Sequence, residues 1–346
     1  MTLPANAVRQ PFAPAASVDR APPQNVTPED ERLFAHEYRR ELDAAGVFEM
    51  RDVRLLSNGM MVHDRRLVLD YYFGFPSSTL LRSKAKARFE GTVLNRRTRA
   101  TRRETHVLYF TDIASRGFFH WFGDALQKLE ALDRWRPELM SLKVFVPYGA
   151  PSFMPTTLGA YGLETVVPGR LERLECESVT VLSRVALNGN FRPELMNAMR
   201  ARLQSHFGSK GAPNRRVYIS RQDAPRRRVV NESEIRPILD RHGIEVVSLA
   251  GLPYADQVDL VAAAELVVGF HGAGLTHMTL MQPGARVLEL RAEGDAHNNC
   301  YFALASALDI KYYYLACQGV DSRQGTHSGD FVVNPGRLDA ELARLI

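Results

Sequence analysis

Hydrophobic and polar positions alternate with two periods along the C-terminal half of the chain. Short apolar runs are separated by stretches in which apolar residues recur every three to four positions, the spacing of a helix face. The runs predict strands over residues 216–220, 245–249, 266–269, 286–290 and 311–315. The periodic stretches predict helices over residues 232–242, 254–264, 274–281, 299–308 and 337–346. Strands and helices that alternate in this way predict an α/β fold with a parallel, doubly wound sheet.

The N-terminal half has a less regular pattern. Apolar runs predict strands over residues 66–72, 106–110, 142–146 and 179–182, and helical spacing predicts helices over 118–132 and 192–207. A Thr-Pro-Glu-Asp sequence at residues 27–30 resembles a helix start and predicts a helix over 33–45. Six prolines lie within residues 1–28, and no apolar core accompanies them. This composition predicts a flexible leader.

The length of 346 residues, 45% of them hydrophobic, suffices for two separate cores. Turn-forming residues crowd positions 208–214, which we interpret as a hinge between two domains. We therefore predict a leader over 1–28, an N-terminal domain over 29–210, a C-terminal domain over 211–330 and a closing helix over 331–346.

The charge of the chain is local. Lys and Arg number 44 against 39 Asp and Glu, a net charge of +5. This excess equals the five arginines of one short segment, namely Arg96, Arg97, Arg99, Arg102 and Arg103. A single cluster without interleaved aromatic residues argues against nucleic acid as a partner. We expect an exposed loop there that contacts anionic lipid headgroups or an acidic glycan.

The cysteines and the apolar runs bear on compartment. Three cysteines without a C-x-x-C pair indicate neither a disulfide framework nor a cysteine zinc site. The longest run without charged residues, 266–285, contains four glycines, two histidines and a proline, which excludes it as a membrane span. We expect a cytoplasmic protein, with any membrane contact peripheral and at the inner face.

Two loops of the C-terminal half have a composition suited to phosphate. Ligands of a doubly wound sheet bind where the carboxyl ends of the strands meet. The predicted strand 216–220 is followed by four arginines, Arg221, Arg226, Arg227 and Arg228, which suit bidentate contacts to phosphate. A solvated basic loop is the alternative.

The second loop, which follows the predicted strand 266–269, reads His271-Gly272-Ala273-Gly274-Leu275. Its small residues let the backbone N–H groups of 272–275 approach an anion, which the dipole of the following helix also attracts. The spacing is neither Gly-x-Gly-x-x-Gly nor a Walker motif, which argues against dehydrogenases and ATPases. His271 alone is equally consistent with a structural histidine.

A carboxylate, Glu289, lies near the end of the next predicted strand, 286–290. At the same edge of the sheet it is placed to accept hydrogen bonds from ribose hydroxyls. The alternative is an ion pair with one of the arginines.

Together these motifs resemble glycosyltransferase family 61. The matching stretches, in order, are Ser220-Arg221, residues 227–232, Gln257, residues 268–276 and residues 283–289. Upstream, Phe119-His120-Trp121-Phe122-Gly123-Asp124 is similar to the family's His-Trp/Phe-x-x-Asp/Glu helix. The rest of the N-terminal half matches weakly.

The resemblance implies a GT-B-like fold, in which a cleft separates two Rossmann-like lobes. The N-terminal domain would then bind the acceptor and the C-terminal domain a nucleotide-sugar, for which we expect UDP. It also implies inverting transfer without a metal or other cofactor, and the chain contains no Asp-x-Asp pair of the kind that holds Mn²⁺ or Mg²⁺. The expected acceptor is a glycan or polysaccharide hydroxyl, as in capsule assembly by a bacterial-type enzyme. The alternative is a non-catalytic nucleotide-sugar-binding scaffold.

The resemblance also suggests roles for the residues. Arg221 and Arg227, with the amides of Gly272, Ala273, Gly274 and Leu275, would neutralise the departing diphosphate, and His271 would donate to it. Asn231, Glu232, Gln257 and Glu289 are candidates for the sugar, the ribose or structural support. The general base is His120 oriented by Asp124, or Asp124 itself, since residues four apart share a helix face. The alternative is an amphipathic helix on which His120 merely borders a polar rim.

Overall fold

The computed structural model describes residues 8–69, 81–208, 214–321 and 329–346. The chain forms two compact units. The first comprises Leu42–Asn188 together with the preceding chain up to Ala16, and the second comprises Ser17–Glu41 and Gly189–Ile346. Each unit contains its own mixed or parallel sheet, which confirms the α/β class.

The strands within the described ranges are β1 (Val8–Ala13), β2 (Ala16–Asp19), β3 (Arg39–Leu42), β4 (Ala45–Leu56), β5 (Met61–His63), β6 (Arg66–Val68), β7 (Ala100–Tyr109), β8 (Lys143–Phe145), β9 (Thr165–Val166), β10 (Glu172–Leu182), β11 (Arg215–Ile219), β12 (Glu245–Val247), β13 (Ala264–Phe270), β14 (Arg286–Ala292), β15 (Lys311–Gly319) and β16 (Phe331–Val332). The α-helices there are α1 (Leu81–Arg97), α2 (Phe118–His120), α3 (Leu126–Trp135), α4 (Phe153–Leu158), α5 (Pro193–Phe207), α6 (Glu232–Arg241), α7 (Tyr254–Ala262), α8 (Cys300–Ala307) and α9 (Pro335–Leu345).

The first unit is built on a mixed sheet of eight strands in the order β6-β5-β4-β10-β7-β8-β9, with β1 also paired to β4. Strands β7 to β10 are parallel, whereas β4 runs antiparallel to β10. Buried side chains such as Val107, Tyr109, Phe145 and Val179 form its core. The connection from β7 to β8 carries α2 and α3, which a π-helical turn over Trp121–Ala125 joins.

The second unit is built on a sheet of six strands in the order β12-β11-β13-β14-β15-β16. The first five are parallel, and the short β16 runs antiparallel to β15. Counted within this sheet, the parallel strands have the order 2-1-3-4-5 of a doubly wound fold. The predicted alternation of strands and helices in this half is therefore confirmed.

The predicted flexible leader is wrong for residues 8–28, and residues 1–7 lie outside the described ranges. Strand β1 pairs with β4, and its Pro11 is tolerated because β1 is an edge strand with an irregular register at that point. Arg20 is buried and donates to Glu37 Oε2 at 2.7 Å and to Asn190 Oδ1 at 2.8 Å. Prolines indicate the absence of helix, but here they do not indicate the absence of order.

The helix predicted over residues 33–45 does not form. Two short 3₁₀ turns, Glu31–Leu33 and Ala35–Glu37, are followed by strands β3 and β4. The reason is tertiary, since the fully buried Phe34 packs against the rings of Phe302, Tyr312 and Tyr314 in the second unit's sheet layer.

The division between the units lies at Asn188 and Gly189, about twenty residues before the predicted boundary at 210. Helix α5 belongs to the second unit because Arg200 donates to the carbonyl oxygens of Met281 at 3.1 Å and Leu308 at 2.9 Å. Most of the predicted hinge, residues 209–213, lies outside the described ranges. The closing helix is α9, which starts after β16 and buries Leu338 in the same core.

The arginine cluster does not form the loop that was expected. Arg96 and Arg97 end helix α1, and Arg102 and Arg103 lie in strand β7. Only Thr98 and Arg99 lie between the two elements. No helix of the described residues is long and apolar enough to cross a membrane.

Candidate functional site

The topology of the second unit brings the first two predicted loops together. Strands β11 and β13 are neighbours and parallel, while the connections that leave them lead to opposite sides of the sheet. Such a switch point opens a crevice at the carboxyl ends of the strands. Arg221 follows β11 there, and His271 and Gly272 follow β13.

Arg221 is held against the turn over residues 271–274, which we call the glycine turn. Its Nε donates to the carbonyl oxygen of Arg227 at 3.1 Å. A Cβ added to Gly272 would lie 2.5 Å from Arg221 Nη1 and 2.9 Å from its Cζ. The guanidinium therefore occupies the space that any larger residue at position 272 would need, which explains the glycine.

Arg227 is the second cation of this loop. It has a φ of 56°, in the left-handed region, and the residue is half-buried. Its Nε is buried and has no hydrogen-bond partner among the described residues. Burial lowers the pKa of both guanidinium groups, and for Arg221 the nearby Arg227 lowers it further. Neither arginine makes an ion pair with a carboxylate in the described part of the chain. Asp223 opposes this lowering for Arg221 but forms no ion pair with it. Two adjacent cations without an ion-pair partner favour a bound anion.

Three backbone amides complete this cationic face. Within the described residues, the N–H groups of Gly272, Ala273 and Gly274 donate to no protein acceptor. They begin the 3₁₀ helix Ala273–Leu280, which replaces the predicted helix over 274–281. The N–H of Leu275 donates to the Gly272 carbonyl oxygen at 2.9 Å, so the predicted anion contact of Leu275 is wrong.

His271 is oriented by Glu289. Its Nδ1 lies 2.5 Å from Glu289 Oε1, and because a carboxylate only accepts, Nδ1 carries the proton. Glu289 is fully buried and its other oxygen accepts from the Tyr312 hydroxyl. With both oxygens engaged in the core, the predictions of a ribose acceptor or of an ion pair with the loop arginines are wrong. Glu289 instead supports His271.

Three residues that sequence reasoning missed surround this pair. The Tyr301 ring packs 4.9 Å from that of His271, and Tyr301 raises the pKa of Arg221 and of Arg227, against the effect of burial. Arg291 approaches the Tyr312 hydroxyl at 3.3 Å and Asn299 Oδ1 at 2.9 Å. Tyr312 and Arg291 occupy ordinary strand positions, so no local signal distinguished them.

The other predicted donor-site residues support loops. Asn231 is buried and exchanges two hydrogen bonds with the Val333 backbone, at 2.8 and 3.0 Å. Glu232 accepts from Ser220 Oγ at 2.9 Å and from the Tyr218 hydroxyl at 3.2 Å. Both therefore tie helix α6 to neighbouring strands, which corresponds to the structural-support alternative.

Gln257 lies in helix α7 and is likewise engaged within the protein. Its amide donates to the Leu252 carbonyl oxygen at 2.8 Å, and its Oε1 lies 2.6 Å from Nε2 of His277. Burial lowers the pKa of His277 to about 4. His277 was not singled out from the sequence, and it links α7 to the glycine turn.

The first unit contains the two predicted candidates for the base. His120 Nδ1 and Asp124 Oδ2 are 2.8 Å apart. Asp124 lies within the π-helical turn and its side chain is only 3% exposed, whereas that of His120 is 32% exposed. Turns of this kind recur at functional sites because they displace side chains from the regular helix face.

The structure adds Arg184 and Asp112 to this pair. Arg184 lies 3.5 Å from Asp124 and 2.8 Å from Asp112, in each case measured to Oδ2. Asp112 also caps the turn Ile113–Arg116 by accepting from the Ser115 N–H at 3.0 Å. Arg184 had no signal in the sequence, because it reaches Asp124 from the chain after strand β10.

A buried lysine borders the same cluster. Lys128 donates to the Phe110 carbonyl oxygen at 2.8 Å, and burial lowers the pKa of its amine although Asp112 opposes that effect. Burial alone raises the pKa of Asp112, but the Lys128 and Arg184 cations outweigh it and hold that pKa below its ordinary value. The side chains of this cluster are therefore mutually compensated. In the described ranges, no group of three or more His, Cys, Asp or Glu side chains is placed to hold a metal ion.

The second unit is thus a doubly wound α/β unit with a cationic edge at the carboxyl ends of strands β11 and β13. Residues 118–288, which include His120, Asp124, Arg184, Arg221, Arg227 and the glycine turn, match the model of glycosyltransferase family 61. This match confirms the predicted family for that part of the chain.

Two relatives are similar over part of the chain. One is an EGF domain-specific O-linked N-acetylglucosamine transferase of Drosophila melanogaster, 32% identical over 114 residues, which is 32% of this chain and 21% of the relative. The other, of the same description, is from Bos taurus and is 30% identical over 110 residues, 30% of this chain and 20% of the relative. The match spans about a fifth of each relative's length.

Proposed function

We propose that this protein is a metal-independent, inverting glycosyltransferase. It would move a sugar from a nucleoside-diphosphate donor, a UDP-sugar, to a glycan or polysaccharide hydroxyl. The observation that carries the proposal is the neighbouring pair Arg221 and Arg227: Arg221 packs against the glycine turn, and neither guanidinium makes an ion pair with a carboxylate among the described residues. The names of the relatives make N-acetylglucosamine the first sugar to test.

The diphosphate would bind where these cations meet the free amides of Gly272, Ala273 and Gly274. As the bond between the anomeric carbon and the diphosphate breaks, negative charge grows on the departing oxygens. Fixed donors aimed at that charge lower the barrier, since they need no rearrangement during the reaction. His271, held by Glu289, would donate from Nε2 when protonated. The guanidinium groups thereby supply the positive charge that a divalent cation supplies in other transferases.

The acceptor hydroxyl must lose a proton as its oxygen attacks the anomeric carbon. We assign this proton to His120 Nε2, because Asp124 holds Nδ1 and Arg184 in turn holds Asp124. The more exposed of the two candidates is thus the base, and the buried one orients it. The proposal includes a GT-B-like arrangement, in which the first unit presents His120 to the donor bound by the second.

The setting of the reaction is also part of the proposal. We place it at the cytoplasmic side of a membrane, in the assembly of a polysaccharide such as a capsule. The partners are then the nucleotide-sugar donor, the glycan acceptor and, at the arginines 96–103, an anionic membrane surface.

Thermal-shift titration with a panel of nucleotide sugars tests the donor site directly. We expect nucleoside diphosphates to stabilise the wild-type chain and to have no effect on the double variant R221A/R227A. Transfer from the stabilising donor to glycan acceptors is then measured. Stabilisation without transfer to any acceptor would favour the non-catalytic scaffold, and equal stabilisation of the double variant would refute the donor site.

A further inference from the structure

The positive charge of the chain is more concentrated than its total suggests. Residues 82–103 contain nine Lys or Arg and a single Glu, a net charge of +8. Since the whole chain carries +5, the remaining residues together carry −3. This stretch forms helix α1 and the start of strand β7. The charge is therefore a property of one continuous piece of the surface of the first unit.

Helix α1 presents an aromatic side chain among these cations. Phe89 is 72% exposed, more than any other large hydrophobic residue of the described ranges. Lys86 precedes it by three positions and Arg96 follows it by seven, so the three lie on one helix face. The opposite face packs through Ala87 and Leu94 against the core. The outward face is thus both basic and aromatic.

Two further apolar side chains lie beside the arginines. The N–H of Arg99 donates to the carbonyl oxygen of Leu171 at 3.0 Å, and Arg102 Nη2 donates to that of Val167 at 2.7 Å. Leu171 is 39% exposed and Val167 45% exposed. Alternating cations and exposed aliphatic groups therefore continue from α1 to the loop after β9.

Several of these Lys and Arg side chains make no ion pair with a described residue. Among the residues the structure describes, Arg96, Arg97 and Arg99 make no ion pair, and all three are exposed. Lys86 is 3.8 Å from Glu90, an exposed pair of small energetic value. We use the name basic–apolar surface for the following set of side chains: Lys86, Phe89, Arg96, Arg97, Arg99, Val167 and Leu171.

We propose that the basic–apolar surface docks this protein onto an anionic lipid bilayer. This proposal rests on the proposed function, to which it adds the membrane partner and the side chains that would contact it. Cations attract anionic headgroups, and exposed aromatic and aliphatic side chains insert at the headgroup level. An acidic glycan would satisfy the cations and leave the apolar side chains in water. The bases of a nucleic acid would stack on Phe89 but leave Val167 and Leu171 in water. The apolar component therefore favours a bilayer over a nucleic acid or an acidic glycan.

Co-sedimentation of the full chain with vesicles tests this surface. We expect binding to vesicles with about one third anionic lipid, weakening as salt screens the attraction, and little binding to neutral phosphatidylcholine vesicles. The variant R96S/R97S/R99S should bind the anionic vesicles at least about tenfold more weakly, because each cation near the surface contributes measurably. F89S should bind more weakly in a manner that added salt does not reproduce.

Matched controls separate the surface from general effects. R236S removes an exposed arginine of helix α6, and L187S removes a leucine that is 68% exposed. Both should bind vesicles as the wild type does. The proposal is overturned if R96S/R97S/R99S binds anionic vesicles as tightly as the wild type, or if the wild type binds neutral vesicles as tightly as anionic ones. It is also overturned if the wild type binds RNA or heparin but no vesicles, and F89S leaves that binding unchanged. Nucleoside-diphosphate stabilisation, measured on the same variants, reports on the donor site independently.

Discussion

The two candidate clusters differ in how their charges are compensated. In the first unit, Asp124 contacts both His120 and Arg184, and Arg184 also contacts Asp112. In the second unit, Arg221 and Arg227 are neighbours, and neither makes an ion pair in the described part of the chain. One cluster is complete as it stands, and the other has an excess of positive charge.

This difference fits the two roles in the proposed function, a general base in the first unit and a diphosphate site in the second. A chain of paired charges fixes the orientation of one exposed imidazole, which is what a general base requires. Adjacent cations that burial and mutual repulsion make costly are stabilised once an anion enters. In the proposed function the first unit therefore accepts the proton and the second unit binds the diphosphate. The experiments below test these two proposed roles, beginning with the variant expected to lose the most activity.

The sharpest test of the division is His120→Ala. It should lower kcat roughly 10²–10⁴-fold, the usual contribution of general base catalysis. Donor affinity, measured by thermal shift, should stay unchanged because the diphosphate site lies in the other unit. Asp124→Asn should lower kcat less, as it misorients the base without removing it. If D124N were the more damaging of the two, Asp124 itself would be the base.

Arg227→Ala should affect the binding and stabilisation of the diphosphate rather than the transfer of the proton. We expect a loss of about 3 kcal/mol in transition-state stabilisation, which is more than a hundredfold in kcat/KM. The nucleoside diphosphate should also bind more weakly. The neighbouring Arg226→Ala, which removes an exposed guanidinium, is the control and should change kcat/KM only slightly. Near-normal turnover of R227A would contradict the placement of Arg227 at the diphosphate.

Gly272→Ala tests the packing of Arg221 without removing a charge. The new Cβ meets Arg221 Nη1 at 2.5 Å, so the guanidinium must move. We expect donor affinity to fall about tenfold, because a displaced donor loses its fixed alignment. Gly336→Ala serves as the control, since its nearest contact would be an ordinary 3.6 Å. Unchanged affinity in G272A would show that the position of Arg221 is immaterial.

Asp112→Asn tests the compensated cluster through stability. The Asp112 pKa is lower in the folded chain than in the unfolded one, so its stabilising contribution is complete above about pH 4 and is lost as pH falls through the folded-state pKa. At pH 7 the variant should lose about 2 kcal/mol of unfolding free energy, and the loss should shrink in acid. Urea unfolding at pH 7 and pH 3 measures this. Asp259→Asn, at an exposed position, should show no such pH dependence, and a pH-independent loss in D112N would refute the ion-pair explanation.

The amino-acid sequence by itself determined the parallel sheet of the second unit, the family, and the placement of Arg221, Arg227 and the glycine turn at strand ends. These rest on local periodicity and on neighbours in the chain, where the physical forces act over a few residues. The pairing of His120 with Asp124 was likewise accessible, because four residues span one helical turn.

Which charged side chains form ion pairs or hydrogen bonds with one another depends on the tertiary structure. Arg184 reaches Asp124 across 60 positions of chain, and Tyr312 reaches Glu289 across 23. The same long-range packing placed residues 8–13 of the proline-rich segment in strand β1 and directed Glu289 into the core rather than to a ligand. Such contacts depend on how sheets bring distant residues together, and no pattern along the chain encodes them locally.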